Sequence, residues 1–256
     1  MSKKYRPSGA KNSLVTLQND KICENFTIKQ KFELTDKQKE IVDTGISKES
    51  RCLILDGVAG SAKTYLSVLI GLKLLNMRRV AGIHYLRTLV QSKDSETGFL
   101  VGDLNEKTKY YNVPLYDKLS ELLIKPDLDK LIKEDRIRTY PTSMIRGITE
   151  ENCVTIFDEN QNALLGTIES VMTRMSEHSL LILCGDSSGS QNDLGQKTGF
   201  KKVCEIFNDE ESRNNGVAYF RLDSSHIVRS KFVKYVVEKF EKVRTLIGNN
   251  GNGNGH

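Results

Sequence analysis

The chain has no stretch approaching the roughly 18 apolar residues that a membrane-spanning helix requires, and its basic start, Met1 to Arg6, leads into no apolar signal segment. Membrane attachment is therefore unsupported, and the expected location is the cytoplasm of whatever cell makes the protein. The five cysteines (Cys23, Cys52, Cys153, Cys184 and Cys204) include no C-x-x-C pair. Three lie in or beside apolar strand-like runs, which fits buried thiols in a reducing compartment better than disulfides or zinc. His84, His178 and His226 lack acid or thiol partners at a persuasive ligand spacing, so none is assigned to metal. No internal repeat is visible.

What is present suits one large α/β domain or two small ones, since 256 residues can bury a full core. The net charge of +5 is unevenly spread: residues 1–31 hold seven Lys or Arg against Asp20 and Glu24, so the remainder is formally neutral. Residues 1–31 thus read as a basic, flexible arm that can touch phosphate backbones or simply be solvated. Residues 248–256 are almost entirely Gly and Asn and read as a disordered tail.

Between these ends the pattern predicts a doubly wound sheet. Strands are expected at 51–56, 79–86, 136–140, 153–157, 179–184 and 218–222, and helices at 64–76, 127–134, 164–175 and 231–246. A helical pattern over 107–123 is broken around Pro114. The most telling segment is Gly57-Val58-Ala59-Gly60-Ser61-Ala62-Lys63-Thr64, which nearly matches G-x-x-x-x-G-K-[ST], a phosphate-binding loop. It follows an apolar strand and opens a helix with Leu66, Leu69, Ile70 and Leu74 on one face. That order gathers loop N–H groups and a helix N-terminus around an anion, with Lys63 as a point charge and Thr64 offering a hydroxyl to Mg2+. A Gly-rich turn that binds nothing is the plainer alternative.

Asp158-Glu159 follows directly on the strand at 153–157, where a nucleotide-hydrolysing core needs its acids. Asp158 would hold Mg2+, and Glu159 would orient and deprotonate the attacking water. Gly185-Asp186 ends the next strand similarly, and Gln191 beyond the Ser187 to Ser190 loop could contact a γ-phosphate or its attacking water. Arg229 could neutralise charge that develops in phosphoryl transfer, within this subunit or across to a neighbour. Each has a bland counterpart: a solvated acidic turn, a surface loop, a surface arginine. Tyr110-Tyr111 could stack a base or simply pack.

Taken in order, the motifs resemble those of the PhoH-like ATPases, especially phage versions, a branch related to superfamily 1 helicases. The resemblance runs from about Phe32 to Phe240. It rests on Leu34-Thr35-Asp36-Lys37-Gln38, the loop 57–64, Gly98-Phe99-Leu100-Val101-Gly102-Asp103, and Pro141-Thr142-Ser143-Met144-Ile145-Arg146-Gly147. Asp158-Glu159-Asn160-Gln161-Asn162, Gly185-Asp186, Gln191 to Leu194, and Ile227-Val228-Arg229-Ser230 complete it. It implies a RecA-like P-loop NTPase core, here 32–247, with a mostly parallel sheet flanked by helices. It further implies ATP hydrolysis with Mg2+, and RNA or single-stranded DNA as partner. Copies of the chain would assemble, a hexameric ring being one such form, because a single core per chain lacks the second core that a helicase motor moves against. By the same resemblance Gln38 would read the adenine edge, Gln161 and Gln191 would sit near the γ-phosphate, and Arg87 with Arg146 would line a nucleic-acid or interdomain surface.

Three departures bear on catalysis. Ala62 replaces a glycine where backbone and phosphates approach closely. Asn160 puts an extra amide into the Asp-Glu-x-Gln string, and the Asp186 to Gln191 loop is two residues longer than the family pattern. They motivate an alternative: a nucleotide-gated binding or assembly module whose hydrolysis is vestigial.

Overall fold

A computed structural model describes residues 25–88, 104–142, 150–188, 198–228 and 231–251, without the side chains of 104–111, 241 and 244–251. Six strands, β1 (Cys52–Gly57), β2 (Gly82–Arg87), β3 (Ile137–Pro141), β4 (Cys153–Asp158), β5 (Leu180–Gly185) and β6 (Val217–Leu222), form one sheet. Their order is β3-β2-β4-β5-β1-β6, and every pairing is parallel. This is the α/β architecture expected from the sequence, consistent with a RecA-like core.

Helices cover both faces, as an all-parallel sheet requires. On one face α1 (Asp36–Gly45), α2 (Lys63–Asn76), α3 (Leu104–Leu122) and α4 (Lys125–Lys133) pack on Leu53, Leu55, Val154, Ile156 and Ile182. On the other, α5 (Leu165–Met172) and α6 (Phe200–Ile206) meet Ile54, Phe157, Leu181 and Leu183. Two further helices, α7 (Glu210–Asn214) and α8 (Lys231–Gly251), flank β6 in sequence. All residues of β1, β4 and β5 are buried, so successive side chains feed two separate apolar layers.

Several local readings change. The α2 pattern suggested one apolar face, yet Tyr65 to Leu72, Leu74 and Leu75 are all buried, because the helix lies between the sheet and its neighbours α1 and α3. The helix α3 runs through Pro114 without a break. Proline there forfeits one backbone hydrogen bond, and burial of Leu115, Leu119 and Leu122 offsets that loss. Three helices had not been anticipated. Of these, α1 begins with a capping box, the Thr35 hydroxyl accepting from the Gln38 N–H and the Gln38 side chain accepting from the Thr35 N–H. The short α6 and α7 offer little periodicity.

The ends also differ from expectation. Residues 25–31 are held rather than loose: Phe26 is buried, and its N–H and C=O both bond the Asn76 side-chain amide, at 3.3 and 2.9 Å. Lys29 N–H donates to the Leu122 carbonyl at 2.7 Å. At the other end α8 reaches Gly251, so the first residues of the Gly/Asn segment continue a helix already nucleated, where each added residue gains a hydrogen bond.

The fully buried Asp56 near the end of β1 binds three chain segments together. Its carboxylate accepts from the Ser187 N–H (2.8 Å) and hydroxyl (2.6 Å) beyond β5, and from Tyr219 Oη (2.8 Å) and Arg221 in β6. Burial and the Asp56 carboxylate hold the Tyr219 phenol well above its ordinary pKa, which keeps it a donor. Asp56→Ala strips these donors of their shared acceptor. Because Arg221 is half exposed and can be rehydrated, the expected loss is about 2–3 kcal/mol of unfolding free energy, measurable by urea denaturation.

Candidate functional site

The phosphate loop links β1 to α2, and its shape is set by two positions. A Cβ on Gly57 would lie 2.5 Å from the Leu222 carbonyl oxygen, so the close approach of β6 admits no side chain there. Gly60 has φ 84°, a left-handed conformation that glycine adopts freely. Ser61 donates to the Val58 carbonyl at 2.8 Å, closing the turn. Lys63 folds back over the loop and donates to the carbonyls of Gly57 (2.6 Å) and Val58 (3.0 Å).

Ala62 takes φ 68°, ψ 19° just before α2, neither helical nor extended. Its methyl group packs against the α2-side core and also borders the cavity described below. For an L-residue this conformation costs about 1–2 kcal/mol, a strain that a glycine would not carry.

The loop meets the end of β4 because β5 alone separates β1 from β4. Thr64 donates to Asp158 Oδ2 at 2.9 Å, as does Tyr85 of β2 at 2.9 Å, while the Glu159 N–H donates to Oδ1 at 3.0 Å. Burial, then the nearby Asp158, raises the Tyr85 pKa well above the phenol range. The phenol therefore stays protonated and orients Asp158. The resulting pair of oxygens, Thr64 Oγ1 and Asp158 Oδ2, is the hard donor set that Mg2+ prefers.

Glu159 sits in a left-handed conformation, φ 57°, uncommon for a residue other than glycine. Gln161 donates to it, and Arg87 from the end of β2 lies 3.6 Å away. Burial first and the Asp158 charge second raise the Glu159 pKa above its ordinary 4.5, opposed by Arg87, Gln161 and Lys63.

Lys63, Thr64, Asp158, Glu159, Gln161 and Asp186 all open onto one cavity of about 500 Å³, with Ala59, Gly60 and Ala62 from the loop. Its volume falls within the range of small-molecule sites. Phe32, Tyr65, Lys118, Glu121 and Val228 complete its wall, and Phe32 lies against Tyr65 with ring centroids 4.6 Å apart. The sequence reading assigned none of these wall residues to the site, although Phe32, an aromatic in a polar stretch just before a helix cap, was a usable signal.

Other anticipated residues lie elsewhere. Gln38 is fully buried; one end of its amide serves the α1 cap and the other donates to the His226 carbonyl at 3.1 Å, and it does not line the cavity. Asn160 also turns inward, donating to the carbonyls of Phe157 (2.5 Å) and Cys184 (3.2 Å). It thereby ties β4 to β5 instead of adding an amide to the site. Arg87 is not simply a surface residue, since it faces Glu159. Ser187 and Ser188, in the loop before Gln191, are fastened to Asp56 and Asp186 respectively. Arg146, Gln191 and Arg229, together with residues 98–103, lie outside the described residues.

A parallel sheet whose first strand turns through a phosphate-type loop into a buried helix, with an acid pair ending a strand one removed, defines a P-loop α/β protein. The chain belongs to the PhoH-like protein family, whose model matches residues 28–241. It is 31% identical to the PhoH-like protein of Bacillus subtilis over 73% of this chain and 57% of that one. It is also 31% identical to Protein PhoH of Escherichia coli K12, over 71% of this chain and 51% of that one. The chain thus spans little more than half the length of these relatives. The helicase domain of Pyrococcus furiosus Hef aligns over 72% of this chain and 37% of its own at 15% identity, with a TM-score of 0.36, a likeness too slight to bear on function.

Ala62→Gly releases the left-handed strain but adds freedom to the unfolded chain. The net expectation is a gain of about 0.5–1 kcal/mol in unfolding free energy, read from denaturant midpoints at unchanged slope.

Proposed function

We propose that the chain is an ATPase acting with RNA or single-stranded DNA. The observation that carries this reading is the meeting of Lys63, Thr64, Asp158, Glu159 and Gln161 around a single cavity. Lys63 and the N–H groups of 57–64 would bind the β- and γ-phosphates, and Thr64 with Asp158 would hold Mg2+. When bound, the metal supplies positive charge that stabilises the phosphates as the terminal bond breaks. Tyr85 fixes the Asp158 carboxylate in place for that duty. Phe32 offers an aromatic face to the base, a better candidate for base contact than the committed amide of Gln38.

Glu159 would take the proton from the attacking water, with Gln161 orienting its carboxylate. Its surroundings suit this task, since a base held above the usual glutamate range accepts a proton more readily near neutral pH. Arg87 would restrain Glu159 until a phosphate backbone competes for the guanidinium, which offers a route by which nucleic acid stimulates turnover. We assign Gln191 to the γ-phosphate and Arg229 to transition-state charge on the family pattern. Assembly of copies, a ring among them, is consistent with the exposed Phe232, Tyr235, Phe240 and Val243 of α8.

The strained Ala62 keeps a second reading in view, a module that binds nucleotide and turns it over weakly. The two separate on one comparison: the parent should hydrolyse ATP well above Glu159→Gln, with Ala62→Gly changing the rate by less than about tenfold. A parent no faster than Glu159→Gln, rescued by Ala62→Gly at the same oligomeric state, would favour the module.

Three outcomes follow for the ATPase. Glu159→Gln should lower kcat by about 10²–10⁴ while retaining nucleotide binding and stability, because it keeps the size of a partly buried side chain and removes its charge. The proton-accepting form is the ionised one, so the parent's kcat should decline as pH falls, with its acid limb above pH 4.5. A steady-state pH profile checks the limb. RNA or single-stranded DNA should raise the basal rate, and the stimulation should fade between about 50 and 200 mM salt as backbone contacts are screened. A rate indifferent to nucleic acid at every salt concentration would point to a protein partner.

A further inference from the structure

Far from the cavity, His84, Glu150 and Cys153 come together, although their separation in sequence gives no ligand spacing. They lie on the α5 and α6 face of the sheet near the amino ends of β2 and β4, whereas Asp158 ends β4 on the α2 face. Cys153 and Asp158 stand five residue steps apart at opposite ends of β4, about 16 Å of strand. One candidate ligand atom from each of His84, Glu150 and Cys153 lies within 4.8 Å of the others. Glu150 Oε2 accepts from Cys153 Sγ at 3.2 Å and from Thr155 Oγ1 at 3.1 Å, and it contacts His84 Nδ1.

Two features separate this group from an ordinary buried ion pair. Glu150 is fully buried, and among the described residues its second oxygen, Oε1, has no hydrogen-bond partner. A histidine alone leaves that oxygen unsatisfied, and an orphaned buried carboxylate oxygen costs about 1–3 kcal/mol or more. The carboxylate is also firmly mounted. The Glu150 N–H donates to Arg174 O at 3.1 Å, and its carbonyl accepts from Ser176 N (3.0 Å) and Ser179 Oγ (2.8 Å). That same Ser179 oxygen accepts from Cys153 N at 3.1 Å. Tyr140 stands edge-on to the His84 ring, centroids 5.5 Å apart. Donor atoms on a rigid frame lose little entropy on capturing an ion.

We propose that His84, Glu150 and Cys153 form a binding site for a divalent transition metal of the zinc class. Imidazole, carboxylate and thiolate are its preferred donors. Metal–ligand bonds of about 2.0–2.3 Å set donors about 3.3–3.7 Å apart in a tetrahedron, so the group needs only modest adjustment. The Cys153 thiol, buried and neutral in the free protein, gives its proton to solvent as the sulfur–metal bond forms. Three protein ligands leave the fourth position to water. The ion would join β2 to β4 at the edge of the sheet opposite the cavity, and it does not depend on the ATPase reading.

The test is Co2+ titration of the full chain after chelator treatment and desalting. We expect one equivalent bound with a near-ultraviolet sulfur-to-cobalt charge-transfer band, displaced by Zn2+. Folded Cys153→Ser should lose the band and weaken binding at least about 100-fold in competition with a chromophoric chelator. Asp158→Asn, which alters oxygen donors at the cavity, should keep the band. Glu150→Gln preserves size and thiol, and should weaken binding at least tenfold even if Cys153→Ser does not fold. No band on the parent, a band that survives in Cys153→Ser, or unchanged affinity in Glu150→Gln would each overturn the proposal.

Discussion

Burial of β1, β4 and β5 on both faces is the constraint on which the rest depends. A strand sealed above and below can display polar groups only where it leaves the sheet. In a parallel sheet all such exits of one kind fall along one edge. The carboxyl edge therefore collects Asp56, Asp158 and Asp186 within reach of the phosphate loop, while the amino edge collects Cys153 and Glu150. Chemistry at either edge is a by-product of how the core is covered. The fully buried Asp56 is tolerated because several donors converge on its carboxylate, whereas those of Glu150 all serve one oxygen.

Strain is also distributed by edge. Arg78 and Asp135, both with positive φ, follow α2 and α4, where left-handed residues commonly end helices. The N–H of Arg79 returns to Leu74 O and that of Arg136 to Leu131 O, the bonds expected of such caps. Ala62 and Glu159 flank the cavity without those compensations. Strain of this kind, of order 1–3 kcal/mol per residue, concentrates at ligand sites because the surrounding fold over-determines the backbone there. The Asp56 cluster supplies part of that over-determination by fixing β6 and the start of the loop after β5 to the strand that carries the phosphate loop.

The positions of the 57–64 loop and of the strand-end acids in the fold were legible because each is a contiguous string in a recognisable local context. All six strands and the parallel class could be read for the same reason, since apolar runs between turn signals survive without tertiary knowledge. Side-chain direction could not. When both faces of a strand are buried, its residues show no apolar-polar alternation, so nothing local says that Tyr85 faces Asp158 while His84 faces Glu150. Asn160 illustrates the opposite error, because its place in the Asp-Glu-x-Gln string suggested the cavity, whereas a 3-10 turn over Asn160–Asn162 rotates it back onto the strands. Thr64 and Asp158, 94 residues apart, meet through sheet order, which no string contains.

The clasp between Phe26 and Asn76 has an electrostatic consequence. Five of the chain's first seven basic residues precede Asn25, and the described chain enters the fold where α2 ends, at Asn76. That helix has 14 residues and begins at the phosphate loop, which puts the point of entry about 21 Å from the loop along its axis. At physiological ionic strength the screening length is about 8 Å. A cation held at that attachment point contributes almost nothing to the potential felt by a triphosphate in the cavity.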